Sequence, residues 1–278
     1  MATPTEIEQL AATVDSAWED KTLLQQAAVQ ATIRSVIDGL DKGLYRVAVE
    51  EAGQWQVHAW LKKAIVLYFL IQDKTLTAAG PWAFYDKIPL KQNFTALGVR
   101  VVPPATARYG ACVRSGVVLM ASYVNIGAYV DAHTMVDIGA VIGSCAQLGK
   151  HIHVSAGAVI GGVLEPIQEQ PVIIEDGVFI GAQCVVAEGV WVQKEAILGA
   201  GVTLTASTHI VDVTQAAGSK EYRGWVPARS VVIPGTYPKP FPAGIYQVPC
   251  ALIIGQRTQQ TDLKVSLNQA LREYHVSV

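Results

Sequence analysis

Cysteine is scarce in this chain, with four among 278 residues, and Cys112, Cys145, Cys184 and Cys250 stand 33, 39 and 66 positions apart. Without a close pair they fit reduced, buried thiols better than a metal site or a disulfide framework. Charge is thin and balanced as well. Asp, Glu, Lys and Arg make up 16% of the residues and the net charge is −2, which leaves no basic face for nucleic acid. Long apolar runs are missing: residues 64–71 form the longest, far short of the roughly 20 residues that span a bilayer. The mean hydropathy of +0.30 therefore comes from Ala, Val and Ile spread along the chain. No basic, apolar leader follows Met1, so a cytoplasmic protein without membrane contact is expected. A Walker-type or dinucleotide glycine motif is also lacking, which argues against an ATP or NAD enzyme.

What the chain has instead is a beat of six. Apolar residues stand six apart at Cys112, Val118, Val124, Val130, Val136, Ile142, Leu148, Val154 and Ile160, and again at Ile174, Ile180, Val186, Val192, Leu198, Leu204 and Ile210. Neither a helix nor an ordinary strand repeats at this period; a coil of hexapeptide edges does. Two positions before the anchors stand small residues, Gly116, Ser122, Ala128, Thr134, Ala140, Ala146 and Ala158, with Ile152 the large exception. Just after the anchors come turn formers such as Asn125, Asp131, Asp137, Gly143, Gly149, Ser155 and Gly181. Each hexad thus reads as one short strand plus one corner, and three hexads close a triangular coil. Ordinary antiparallel strands would lose this phase. The two interruptions, before Ile174 and after Ile210, are insertions of the kind that often form a binding face.

The flanks read differently. Residues 7–18 and 27–40 have helical spacing, and Gly43 stops the second segment. Residues 45–49 and 55–60 are rich in strand formers, while 65–71 fits either a strand or a buried helix. Pro234, Pro238, Pro240 and Pro242 predict a loop, followed by a strand over 245–254 and an amphipathic helix over 261–274. The expected architecture is mainly β: an α/β N-terminal domain (1–105), a left-handed parallel β-helix of hexapeptide repeats (106–235) and a small C-terminal strand-helix cap (236–278).

Local sequence narrows the reading. The stretches RVVPPATARYGA, SYVNIGAYVDAHTMVD, GSCAQLGKHIHVSAGAVIGGVLEP, IIEDGVFIGA and VPARSVV, with GQWQVHAWLKKAIVLYF and YDKIPLK before them, resemble the bacterial tetrahydrodipicolinate N-succinyltransferases of the lysine pathway. The similarity covers most of residues 40–235 in order. It implies an acyl-CoA-dependent N-acyltransferase acting on an amino dicarboxylate, with succinyl-CoA or acetyl-CoA as donor, and a homotrimer with sites between subunits. Arg100 and Asp137 match substrate-site residues of the family. Asp137 would orient or deprotonate the amine, and Arg100 would clamp a carboxylate with its planar fork. Position alone favours reading Asp137 as a corner residue chosen for its turn geometry, and the resemblance reverses that preference. Arg108 is a second carboxylate or phosphate candidate, or else an exposed partner of surface carboxylates.

This chain also departs from the family. A catalytic glutamate contributed by the neighbouring subunit aligns with Val185, which can neither polarise water nor accept a proton. Glu188 is not an obvious replacement, since the family has a glutamate there too. His133 stands where relatives have glycine; its imidazole suits proton transfer near neutrality, although a histidine on an exposed edge also serves structure. The stretch MVDIGAVIGSC lacks the threonine and tryptophan usual after MVD, so a reshaped pocket and a specialised relative, as in the tabtoxin biosynthesis branch, are implied. For CoA, small residues at Gly181, Ala182, Gly199, Ala200 and Gly201 can admit extended pantetheine, though glycine is also simply a turn residue. Lys239, with Arg223, Arg229 and Arg257, could meet phosphates or remain solvated surface charges. No metal is expected, because His151 and His153 form one close pair and His209 lies far along the chain. The loss at Val185 keeps a second class open: a non-catalytic trimer that binds CoA or another ligand.

Overall fold

A computed structural model describes residues 4–216 and 218–257. Three faces of short parallel strands wind into a triangular left-handed β-helix. The first face stacks Cys112–Val113, Tyr129–Val130, Gln147–Leu148, Ile173–Ile174, Trp191–Val192 and Trp225–Val226. The second runs from Arg100–Val102 through Val118–Met120, Met135–Val136, His153–Val154, Phe179–Ile180 and Ile197–Leu198 into Ser230–Phe241. The third stacks Thr106–Ala107, Tyr123–Val124, Val141–Ile142, Val159–Ile160, Val185–Val186 and Thr203–Leu204. From Val124 to Ile210 every anchor points inward and joins one apolar column. The polar residue after the anchor holds the corner: Asn125, Asp131 and Asp137 each accept the next residue's N–H through Oδ1, at 2.9, 2.7 and 2.7 Å.

The beat starts later than expected. Val113 and Leu119, not Cys112 and Val118, lie in the interior, and they pair with Val130 and Val136. The first coil is therefore one residue short, which turns Cys112 outward against the N-terminal domain. Gly116 likewise belongs to a corner, with φ +79, rather than to the interior. A direct consequence is that Leu119→Ala should cost about 2–5 kcal/mol in urea unfolding. Val118→Ala, on a half-exposed outward position, should cost less than about 1.5 kcal/mol; equal losses would contradict the shifted phase.

The N-terminal domain has three long helices, α1 (Pro4–Glu19), α2 (Ala27–Lys42) and α3 (Ala59–Ile71), short helical turns at Lys21–Gln25 and Phe94–Leu97, and two hairpins, β1 (Ala48–Glu51) with β2 (Gln54–Val57) and β3 (Thr75–Ala79) with β4 (Trp82–Asp86). Gly43 ends α2 at φ 70, as its type predicts. The ambiguous run 65–71 is helical: α3 buries Leu61, Ala64, Ile65, Leu67 and Tyr68 against α1, α2 and the coil corner at Ile126 and Cys145. That packing overrides the β propensity of single residues. This domain covers the first face, leaving Ile173 fully buried and Cys112 nearly so.

The first insertion, residues 161–172, closes over α3. Lys62, fully buried, donates through Nζ to the carbonyls of Pro166 (3.1 Å) and Glu169 (2.9 Å). At the other end the proline-rich stretch is a strand rather than a loop. Ser230–Phe241 pairs antiparallel with Gly244–Gln256, and only Val231 and Val232 also pair with the coil. Beyond them the outer edge is free, so the missing N–H groups of Pro234, Pro238 and Pro240 cost no ladder bond. The hairpin seals the coil with Ala251 and Ile253. The helix expected over 261–274 lies outside the described residues.

Candidate active site

The corner between the second and third faces brings together residues far apart in sequence. Backbone bonds run from Asp137 N to Val154 O, Ser155 N to Ile180 O, Gly181 N to Leu198 O and Gly199 N to Val232 O. Asp137, Ser155, Gly181 and Gly199 are thus one column, one coil apart. At about 4.8 Å per strand, Gly181 lies about 10 Å along the axis from Asp137. Ala182, Ala200 and Gly201 belong to the same corner, so five candidate cofactor residues and the candidate catalytic aspartate share one edge. Asp137 is half-buried; Oδ1 is held by Ile138 N, and no hydrogen bond reaches Oδ2 among the described residues. Beside it Ile138 is 59% exposed.

The glycines have packing reasons of their own. A Cβ on Gly181 would meet Ala200 N at 2.6 Å and Leu198 O at 2.7 Å, so the coil itself requires glycine there. Gly199 is tight against Val232 O at 3.1 Å, whereas Gly201 is a left-handed corner residue with φ +72.

Other candidates go elsewhere. His133 sits at φ 61 on the opposite corner, between the first and second faces, and its ring stacks on His151 at 5.1 Å. The strand Met135–Val136 therefore separates it from Asp137; the two do not share a groove on one chain. Arg100 is exposed on the second face, two coils before Met135, without contact to Asp137. Arg108 is committed to Asp86 of β4 and to Asn125 Oδ1 at 3.2 Å, a strut between domain and coil. Lys239 lies on the C-terminal hairpin over Phe241. Of the remaining cations, Arg229 pairs with Glu195, Arg223 with Glu221, and Arg257 donates to Gly177 O at 2.9 Å. Glu188 accepts from Ala206 N at 3.2 Å, capping a turn. Val185 lies outward on the third face between Val159 and Thr203.

Sequence reasoning passed over His153. It is outward on the second face between Met135 and Phe179, its ring parallel to Phe179 at 5.0 Å, and close enough to Asp137 to feel its charge. The signal was available, since His153 is Met135 plus one 18-residue turn. Burial pulls the imidazole's pKa below its ordinary value, partly opposed by Asp137. A base whose folded pKa is depressed supplies stability above its unfolded value near 6.5, lost as pH falls through the lower folded value. Urea midpoints at pH 7.5 and 5 should therefore fall further for wild type than for His153→Phe; equal falls would exclude the effect.

Known proteins bear on this geometry. The pattern described as tetrahydrodipicolinate N-succinyltransferase N-terminal matches residues 9–71, and that of a hexapeptide repeat of succinyl-transferase matches 171–206. The 2,3,4,5-tetrahydropyridine-2,6-dicarboxylate N-succinyltransferase of Acinetobacter baylyi is 46% identical over 274 residues, 95% of this chain and 98% of its own. The protein of that name from Polynucleobacter asymbioticus is 47% identical over 272 residues, covering 94% and 97%. With near-complete coverage at such identity, the chain belongs to the tetrahydrodipicolinate N-succinyltransferase family and is an acyltransferase.

Proposed function

We propose that the chain transfers a succinyl or acetyl group from its CoA thioester to the amine of tetrahydrodipicolinate (2-amino-6-oxopimelate) or a close analogue, with Asp137 as the residue that receives or orients the amine proton. The observation that carries this is the column Asp137, Ser155, Gly181, Gly199: an open carboxylate oxygen at one end of an edge lined with small residues. In the reaction the neutral amine attacks the thioester carbonyl, the C–N bond forms, the C–S bond breaks and the thiolate leaves. The proton lost from nitrogen passes through Asp137 Oδ2 towards the sulfur. Arg100 would hold a substrate carboxylate supplied from a second chain's groove, because on its own chain it stands apart from Asp137.

A homotrimer with sites between subunits fits the later part of the third face. The N-terminal domain covers the first face and, through β3–β4, the start of the third at Thr106 and Tyr123, and the terminal hairpin covers the end of the second. Past Tyr123 the third face presents Val141, Val159 and Val185 outward, Val159 being 37% exposed. A valine at 185 extends this apolar column where the resemblance implies a glutamate, and that favours either a reshaped reaction of the tabtoxin type or the non-catalytic CoA-binding trimer. Purified protein should release CoA thiol from at least one of succinyl-CoA and acetyl-CoA when the acceptor is present. Release with neither, alongside saturable CoA binding, would overturn the enzymatic reading in favour of the binding one.

A further inference from the structure

A second cleft opens on the other side of the second face, where hairpin β1–β2 overhangs the corner that carries Asp131, Lys150, Asp176 and Lys194; its volume is about 430 Å³. Arg46 forms one wall. Its guanidinium lies over the Tyr129 ring at 3.8 Å and Nε donates to Gln147 Oε1 at 3.2 Å. Among the described residues neither Nη has a hydrogen bond or ion pair, so the fork faces the cleft without a protein partner. Among the described residues Lys150 and Lys194 form no ion pair there either.

Carboxylates face these cations. Among the described residues Asp131 and Asp176 each use only Oδ1, accepting from Ala132 N and Lys150 N at 2.7 Å, and Glu50 stands at the rim. Glu175 is differently employed: Trp191 Nε1 (2.8 Å), Lys194 N (2.8 Å) and Trp55 Nε1 (3.4 Å) all donate to it, which fixes the Trp55 indole as an apolar wall. The formal charges are four negative against three positive. A simple anion would meet Asp131 and Asp176, and a simple cation would meet Arg46.

We propose that this cleft is a second small-molecule site, for a basic amino acid carrying one carboxylate and two ammonium groups. The carboxylate takes the Arg46 fork, the ammonium groups take the free oxygens of Asp131 and Asp176, and the methylene chain lies against Trp55 and Val49. Such a ligand matches the cleft's net charge, and the volume leaves space for bridging waters.

Isothermal titration of the full chain with L-lysine tests this. Saturable binding, one per chain, is expected, with glutarate and 1,5-diaminopentane at least tenfold weaker. Arg46→Gln should weaken L-lysine at least tenfold, and so should Asp131→Asn, whose amide oxygen keeps the bond to Ala132 N should Arg46→Gln fail to fold. Asp137→Asn should leave the affinity unchanged. Absence of saturable binding, affinity surviving in a folded Arg46→Gln or Asp131→Asn variant, or loss of binding in Asp137→Asn would each overturn the assignment.

Discussion

Asp137→Asn should lower kcat by on the order of 10²–10⁴ while leaving the fold intact, the span expected when a positioned proton acceptor is removed. The variant is informative because of how Asp137 is used. Oδ1 accepts the Ile138 N–H at 2.7 Å, a bond that the amide oxygen of asparagine can also make. The corner therefore survives, and the change falls on Oδ2, which becomes an NH₂ donor facing the amine. A carboxylate can take the proton of a neutral amine as the C–N bond forms; an amide cannot. Thiol release should collapse with either donor, whereas CoA affinity and the urea midpoint should stay near wild type. An unchanged rate would remove Asp137 from the chemistry and leave it only a turn residue. A shifted midpoint would mean that its charge serves the coil.

How far this could be read in advance differs by element. The hexad beat from Val124 to Ile210 was legible because every edge of the interior takes an aliphatic side chain at the same place, which makes the anchor pattern strict, while the position two before it takes small residues or Val and Ile. The shortened first coil was not legible, because Cys112 and Val118 are apolar for another reason: they face the N-terminal domain and the second face's outer surface. Prolines at 234, 238 and 240 suggested a loop, yet their even spacing keeps all of them off one ladder, which is the condition for an edge strand. For the site, Asp137 and the small residues were identified separately. Their common corner follows from 18-residue turns plus the eight residues that the first insertion adds between Ser155 and Gly181. The separation of His133 from Asp137 needed the corners to be resolved, since four residues along the chain span a whole strand.

A further effect on stability belongs to Lys62, because the first insertion hangs on it. Its side chain is fully buried, and burial pulls its pKa down, with Cys145 and Glu169 opposing weakly. Such a cation is costly unless its hydrogens are used. Here Nζ reaches the carbonyls of Pro166 and Glu169, the two ends of one turn in the inserted loop. Lys62→Met keeps the length and apolar stem of the side chain but orphans the Glu169 carbonyl, worth about 1–3 kcal/mol if left unsatisfied, and leaves the Pro166 carbonyl only the longer bond from Glu169 N at 3.3 Å. Relief of the buried charge returns part of this, so a net loss of about 1–3 kcal/mol is expected in urea unfolding. The loss should be local in origin: limited proteolysis should cut first within residues 164–171, where wild type resists. Both Val163 and Val172 are buried in the coil's column, so loosening of the loop draws on the core that spaces Asp137 from Gly181. A variant as stable as wild type, or one cut first elsewhere, would show that Val163, Val172 and the packing of Leu164 hold the loop without the lysine.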